Sequence, residues 1–271
     1  MRVLSSALLF ILLVLLLTPA RTVARLRMRG WSPISAFFPP TTPATLADEC
    51  DGDDYGTAGE FDLYVLAQSW SAEFCYPASH RSYPGCKQPT DWQRANLTLH
   101  GLWPQYVNET GGHAWPQCCN STYGSDLNAS VVAGELTQLQ QYWPNEQSPS
   151  GKPLASTMWA HEWAKHGTCS GSAQLDYLQH AIALMQQLPT PAILAQHIGS
   201  HVDTAQLESA YNGGQACSDD SCMVWLQCDG GYLTEVHTCW DARLRQVACP
   251  RLVLSDSGRC TGSEVKISKF A

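Results

Sequence analysis

The stretch WAHEWAKHGTCS, Trp159 to Ser170, puts two histidines, a glutamate and a lysine between tryptophans and a cysteine. Three chemistries draw on such residues: metal binding, nucleophilic attack and acid–base transfer. A zinc helix needs His-Glu-x-x-His, with both imidazoles on one face one turn apart. Here the fourth residue after His161 is Lys165, a cation. His166 is the fifth, turned by about 140°. The rings diverge, so neither a metal nor any other cofactor is expected. GTCSG, Gly167 to Gly171, has the spacing of a nucleophile elbow, which must follow a strand and precede a helix. Cys169 instead follows a helix and reads as half of a disulfide.

Acid–base chemistry fits better. On a helical wheel His161, Lys165, Glu162 and His166 fall at about 0°, 40°, 100° and 140°, one polar arc. Glu162 and His166 are one turn apart, so the carboxylate can hold the imidazole. A solvated face with an ion pair would account for the charges alone. Trp159 and Trp163, at the edge of the arc and beyond it, argue for a helix packed inward. The partner is His100 in ANLTLHGLWPQY, residues 95–106. Leu97 and Leu99 alternate with Thr98 and His100, which predicts a short strand ending in a Gly/Pro turn with His100 at its end. Trp103 beside it offers an aromatic platform for a nucleobase.

Elements that must position these groups are legible in the same way. EFDLYVLAQSW (60–70) predicts a first strand. GELTQLQQYW carries Leu136, Leu139 and Trp143 at helical spacing, ended by Pro144. Ser156 or Thr157 can cap the histidine-bearing helix and Gly167 can end it. QLDYLQHAIALMQQL places Leu175, Leu178, Ile182, Met185 and Leu188 on one stripe. Shorter helices are expected around 191–198 and 204–211, and strands in CMVWLQC, GYLTEVHTCW and LRQVACP. Helices in the middle and strands at both ends imply one α+β domain around an antiparallel sheet, rich in disulfides.

The chain has 271 residues, of which 44 % are apolar, enough for a sizeable core. An unbroken apolar run from Ala7 to Leu17 is too short to span a bilayer, so residues 1–24 are expected to be a cleaved signal peptide, with no membrane anchor. Residues 25–57, basic and then Pro/Thr-rich, read as a flexible lead-in, leaving 58–271 as the catalytic domain. Twelve cysteines fit an oxidising secretory route. So do the glycosylation sequons at Asn96, Asn108, Asn120 and Asn128. Destinations are extracellular space, lysosome or vacuole. The net charge of −8 becomes about −10 once Arg2 and Arg21 leave with the signal, which excludes a broad basic surface for polyanions.

LTLHGLWPQY and WAHEWAKHGTCS together resemble the two active-site segments of the ribonuclease T2 family, the secreted acid endoribonucleases. The likeness covers roughly residues 58–262. It implies a monomer cleaving single-stranded RNA through a 2′,3′-cyclic phosphate, with DNA excluded because the 2′-hydroxyl is obligatory. It implies His166 as base and His100 as acid, Glu162 and Lys165 on the charged phosphorus, His161 on the phosphate, and Trp103 and Gln68 on the base. It departs at Gln105, Ser69 and Met158, all on the base side, so no base preference is implied. It further implies the disulfides Cys75–Cys86, Cys228–Cys260 and Cys239–Cys249, with Cys169 on Cys118 or Cys119. Cys217–Cys222 would close a small loop, and Cys50 would tie the lead-in to the body. A secreted glycoprotein that binds or signals, with incidental cleavage, is the alternative; it would be favoured by loss of His100 or His166, and both are present.

Two expectations concern protons. Lys165 favours a neutral His166 and Glu162 a charged one, so sequence does not rank the two imidazoles. An acidic chain repels RNA at neutral pH, and nine histidines gain charge as pH falls, which predicts an acidic optimum.

Overall fold

The computed structural model describes Cys50 and residues 54–147, 157–218, 221–254 and 258–270. The segments expected to be a signal peptide (1–24) and most of the expected lead-in (25–57) lie outside the described residues. The sheet is built from β1 (Leu63–Ser69), β2 (Thr98–Gln105), β3 (His201–Asp203), β4 (Val224–Asp229), β5 (Tyr232–Trp240) and β6 (Glu264–Lys266). Its main run is β2–β1–β5–β4, all antiparallel. β6 joins β5 in parallel through Tyr232 and Lys266, and carries β3. The domain is therefore α+β with a mixed sheet. β3 and β6, three residues each, are too short to leave a periodic signal.

Four longer helices follow: α1 (Ala129–Tyr142), α2 (Met158–Lys165), α3 (Gln174–Gln187) and α4 (Thr204–Tyr211); α3 lies on β2, α1 on α3, and α4 on β3 and β4. Apolar spacing sets their buried faces. Leu139 and Trp143 are buried on α1 and its end, and Leu178, Ile182 and Met185 on α3. Leu136 and Leu175, expected on those faces, are exposed instead. Thr157 caps α2, its Oγ1 accepting from the Ala160 N–H at 3.3 Å. Gly167 does not end that helix in a left-handed turn. The chain continues as a 3₁₀ turn, Gly167–Ser170, and Gly171 takes the left-handed φ of 71°. Gly167 is required for space, since a Cβ there would sit 2.5 Å from the Trp163 ring.

β2 departs from the expected short strand. It runs on through Gly101 to Gln105, and its pairing skips one residue: Gln68 faces Leu99 while Ala67 faces Gly101, leaving His100 as the bulged residue. Pro104 is tolerated because β2 is the edge strand, where a missing N–H breaks no ladder. LRQVACP forms no strand. Leu244 adopts a positive φ of 58°, and one bridge, Trp240 to Gln246, is what pairs. The body also reaches back before residue 58, since Tyr55 pairs with Gln117 and Cys50 bonds Cys118. Cys169 bonds Cys119, and the remaining bridges are Cys75–Cys86, Cys217–Cys222, Cys228–Cys260 and Cys239–Cys249. Asn108, Asn120 and Asn128 are exposed, while Asn96 is half-buried and donates to the Trp92 carbonyl.

Candidate active site

His100 owes its direction to the bulge, a device that re-aims one side chain of a strand. Two buried tryptophans fix its backbone. Trp143 Nε1 donates to the His100 carbonyl at 2.8 Å, and Trp159 Nε1 donates to the Trp143 carbonyl at 2.7 Å. Trp159 thus ties α2 to the end of α1, and through it to β2. Tyr177 of α3 adds a second brace, its hydroxyl donating to the Leu102 carbonyl at 2.9 Å.

Across the cleft, α2 supplies Glu162, with His166 at its end. Both are buried, although the wheel placed them on the polar arc. The Glu162–His166 side of the arc faces His100 and Trp103 of β2, and the His161–Lys165 side is partly exposed. Trp103 Nε1 donates to Glu162 Oε2 at 2.8 Å. This bond turns the other carboxylate oxygen toward two imidazoles: Oε1 lies 3.6 Å from His100 Nε2 and 3.8 Å from His161 Nε2. Gly101 makes room for it, because a Cβ there would sit 2.1 Å from Glu162 Oε2 and 2.2 Å from Trp103 Nε1.

Trp103 is the spacer of the site. Its ring lies 5.1 Å from His100, edge-on, and 5.3 Å from His166. Its N–H is committed to Glu162, so the indole is part of the wall before any base arrives. Lys165 and His161 are partly exposed at the rim. Gln68 is a correction. It is fully buried and donates to Met185 Sδ at 2.7 Å, so it points into the core and not into the cleft. It pairs with Leu99, and that register turns it to the apolar face.

Two residues of the site went unread in sequence. Glu235 Oε1 lies 2.6 Å from His100 Nδ1 and accepts from Ser69 Oγ at 2.9 Å. Glu235 Oε2 lies 2.5 Å from His237 Nε2. The signal available was Glu-x-His in the strand YLTEVHTCW, two ionisable groups on one face.

The two candidate imidazoles sit in opposite electrostatic settings. Burial works against a charged His100. The Glu235 charge, its hydrogen bond, and the charges of Glu162 and Glu146 together outweigh this, and His100 is pushed up to about 9. His166 is held well below the usual histidine value by burial first, then by Lys165, His161 and His100. Glu235 in turn stays well below the ordinary carboxylate range, because its contacts with His100 and His237 overcome its burial. One cleft therefore holds a protonated imidazole and a neutral one, the pairing that acid–base transfer requires.

The fold is that of an α+β domain in which β2, β5 and α2 bring His100, Glu162, His166 and Glu235 together. The ribonuclease T2 family profile matches residues 61–249. Intracellular ribonuclease LX of Solanum lycopersicum is 28 % identical over 229 residues, which are 79 % of this chain and 87 % of that protein. Extracellular ribonuclease LE of the same plant is 29 % identical over 222 residues, covering 79 % of this chain and 89 % of that one. The solved structure of RNase NT in complex with 5′-AMP superposes with a TM-score of 0.61 at 25 % identity, over 78 % of this chain and all of that one. The chain belongs to the ribonuclease T2 family, and it is an endoribonuclease of that type. Among the described residues no helix is long and apolar enough to cross a membrane.

Proposed function

We propose that the protein cleaves single-stranded RNA by transesterification at the 2′-hydroxyl, as a monomer in the secretory pathway, extracellular space, lysosome or vacuole. His166, neutral, takes the proton of the 2′-hydroxyl as that oxygen bonds phosphorus. His100, protonated, gives its Nε2 proton to the 5′-oxygen as the P–O5′ bond breaks. The products are a 2′,3′-cyclic phosphate and a free 5′-hydroxyl. Water then opens the ring with the roles reversed, giving a 3′-phosphate. Lys165 and His161 at the rim offset the charge on the phosphoryl oxygens. Glu162 orients His100 and His161 around them. Trp103 keeps the two imidazoles apart and offers its open edge to a base. DNA lacks the attacking hydroxyl and is not cleaved.

The observation that carries this reading is the placement of His100 and His166 on either side of Trp103, with Glu235 bonded to the first and Lys165 beside the second. The test is to incubate the protein with a homopolymer RNA in EDTA and analyse the ends. The expected result is cyclic phosphate first and 3′-phosphate later, with the matching DNA intact. His100→Ala and His166→Ala should each lose about 10²–10⁴-fold in rate. A His100→Ala protein of near-normal rate, or 5′-phosphate ends, would overturn the reading.

A further inference from the structure

The cleft chemistry uses His100 through Nε2, yet the tightest contact of that ring is on its other side. Nδ1 meets Glu235 of β5 at 2.6 Å, and Glu235 meets His237 at its second oxygen. A carboxylate only accepts, so both ring nitrogens are donors. Ser69 fills the remaining place on Glu235 Oε1. All of these groups are buried or nearly so. His237 is itself packed between Trp103, at 5.4 Å, and Trp225, at 4.3 Å. Its Nδ1 has no hydrogen-bond partner among the described residues, so its one polar contact is the one with Glu235. A buried histidine committed wholly to another residue's carboxylate is costly as mere packing, because its second nitrogen is left without a partner.

The geometry points to Glu235 and His237 as a positioning pair that grips His100 by Nδ1. The pair fixes the tautomer and aim of the ring, so that Nε2 is the nitrogen that carries the transferable proton. The pair touches neither the ribose nor the phosphate. It rests on the reading of His100 as the acid. The register supports the geometry: Ser69 pairs with Glu235 and Ala67 with His237 on β1, and Ala67 pairs in turn with Gly101, beside the bulge. Strand pairing therefore carries the pair to the back of the ring, while the cleft side is left to α2. The charged groups that face His100 are Glu235 from β5, Glu162 from α2, Glu146 from the segment after α1, and His166 at the end of α2. Of the three carboxylates, Glu235 is the one that hydrogen-bonds the ring.

Glu235→Gln keeps the shape and one accepting oxygen but removes the charge. His237→Phe keeps a buried ring but removes the donor. For Glu235→Gln the basic limb of the pH profile of kcat/KM should move toward acid by about one to three pH units, while the acidic limb, set by His166, stays in place. For His237→Phe the limb should move the same way and less, with kcat falling more than KM changes. A purely structural role would alter stability and leave the limbs alone. Proton NMR titration of the His100 ring in the unmutated protein gives the same answer without any variant: it should hold its proton far above a free histidine. Unmoved limbs in Glu235→Gln, or a His100 ring that titrates as in a free peptide, would overturn the positioning pair, even with His100→Ala inactive. An active His100→Ala would instead remove the reading beneath it.

Discussion

The sharpest test of the site is a single methyl group at Gly101. Its Cβ would lie 2.1 Å from Glu162 Oε2, 2.2 Å from Trp103 Nε1 and 2.9 Å from Glu162 Cδ. Neither neighbour is the loose end of a flexible chain. Glu162 is 1 % exposed, and its carboxylate is anchored by the 2.8 Å bond from Trp103. The carboxylate must retreat by roughly 1 Å, and the bond that aims it must break. A hydrogen bond to a charged group contributes about 1.5–3 kcal/mol, and overpacking costs about 1–3 kcal/mol. Gly101→Ala should therefore lose roughly 3–5 kcal/mol of stability, or about 6 °C or more in Tm. A misplacement of that size at a catalytic group costs about 10²-fold in rate. The assay is kcat/KM on a homopolymer RNA beside a thermal melt. Gly134→Ala is the control: it sits within α1 with nothing in contact range of an added methyl, and should gain up to about 1 kcal/mol with activity unchanged. A Gly101→Ala protein with near-normal rate and melt would refute the claim that Trp103 and Glu162 meet across this glycine.

Three further outcomes follow from named contacts. His161→Ala should raise KM severalfold with a smaller change in kcat in steady-state kinetics, since its ring lies at the rim, 3.8 Å from Glu162. Replacing Cys119 and Cys169 by serine together opens a bridge of sequence separation 50 in the turn that follows α2, and should lower the urea-derived stability by about 4 kcal/mol. His100 has its proton affinity raised by folding, so its contribution to stability is complete below its ordinary 6.5 and is lost as pH rises through about 9, as urea midpoints across that range should show.

Much of the site could be read because its groups lie on one element or one motif. The 3.6-residue period brings His161, Glu162, Lys165 and His166 to one face whatever surrounds the helix. What the period cannot carry is the medium the face meets: the flanking tryptophans argued for inward packing, and how deeply Glu162 and His166 are buried is set by β2 across from them. The bulge at His100 is a property of two paired strands, not of one. No window of β2 alone reveals that Leu99 and Gly101 take consecutive partners on β1. Glu235 lies 135 residues from His100, and their contact exists only once β1 lies between β2 and β5. Gln68 failed for the same reason in reverse: a resemblance locates a residue in a strand, and register decides which face it serves.

Trp103 also resolves what sequence left balanced. Glu162 stands one turn from His166 and could have charged it. The Trp103 bond turns the carboxylate away, toward His100 and His161, and Glu235 completes the asymmetry. The protonation states that the proposed mechanism calls for then persist from well below pH 6.5 up to about 9. Within that window neither imidazole selects an acidic optimum. If one exists, it comes from capture of RNA by an acidic chain whose other histidines gain charge as pH falls. Long-range repulsion is screened by salt, the Debye length falling from about 10 Å at 0.1 M to about 3 Å at 1 M. The kcat/KM optimum on a homopolymer RNA should therefore shift toward neutral, and its peak should flatten, as ionic strength rises over that range. An acidic optimum of unchanged position and sharpness in high salt would place its origin in the cleft and refute the assignment of His166 as a base already neutral at low pH.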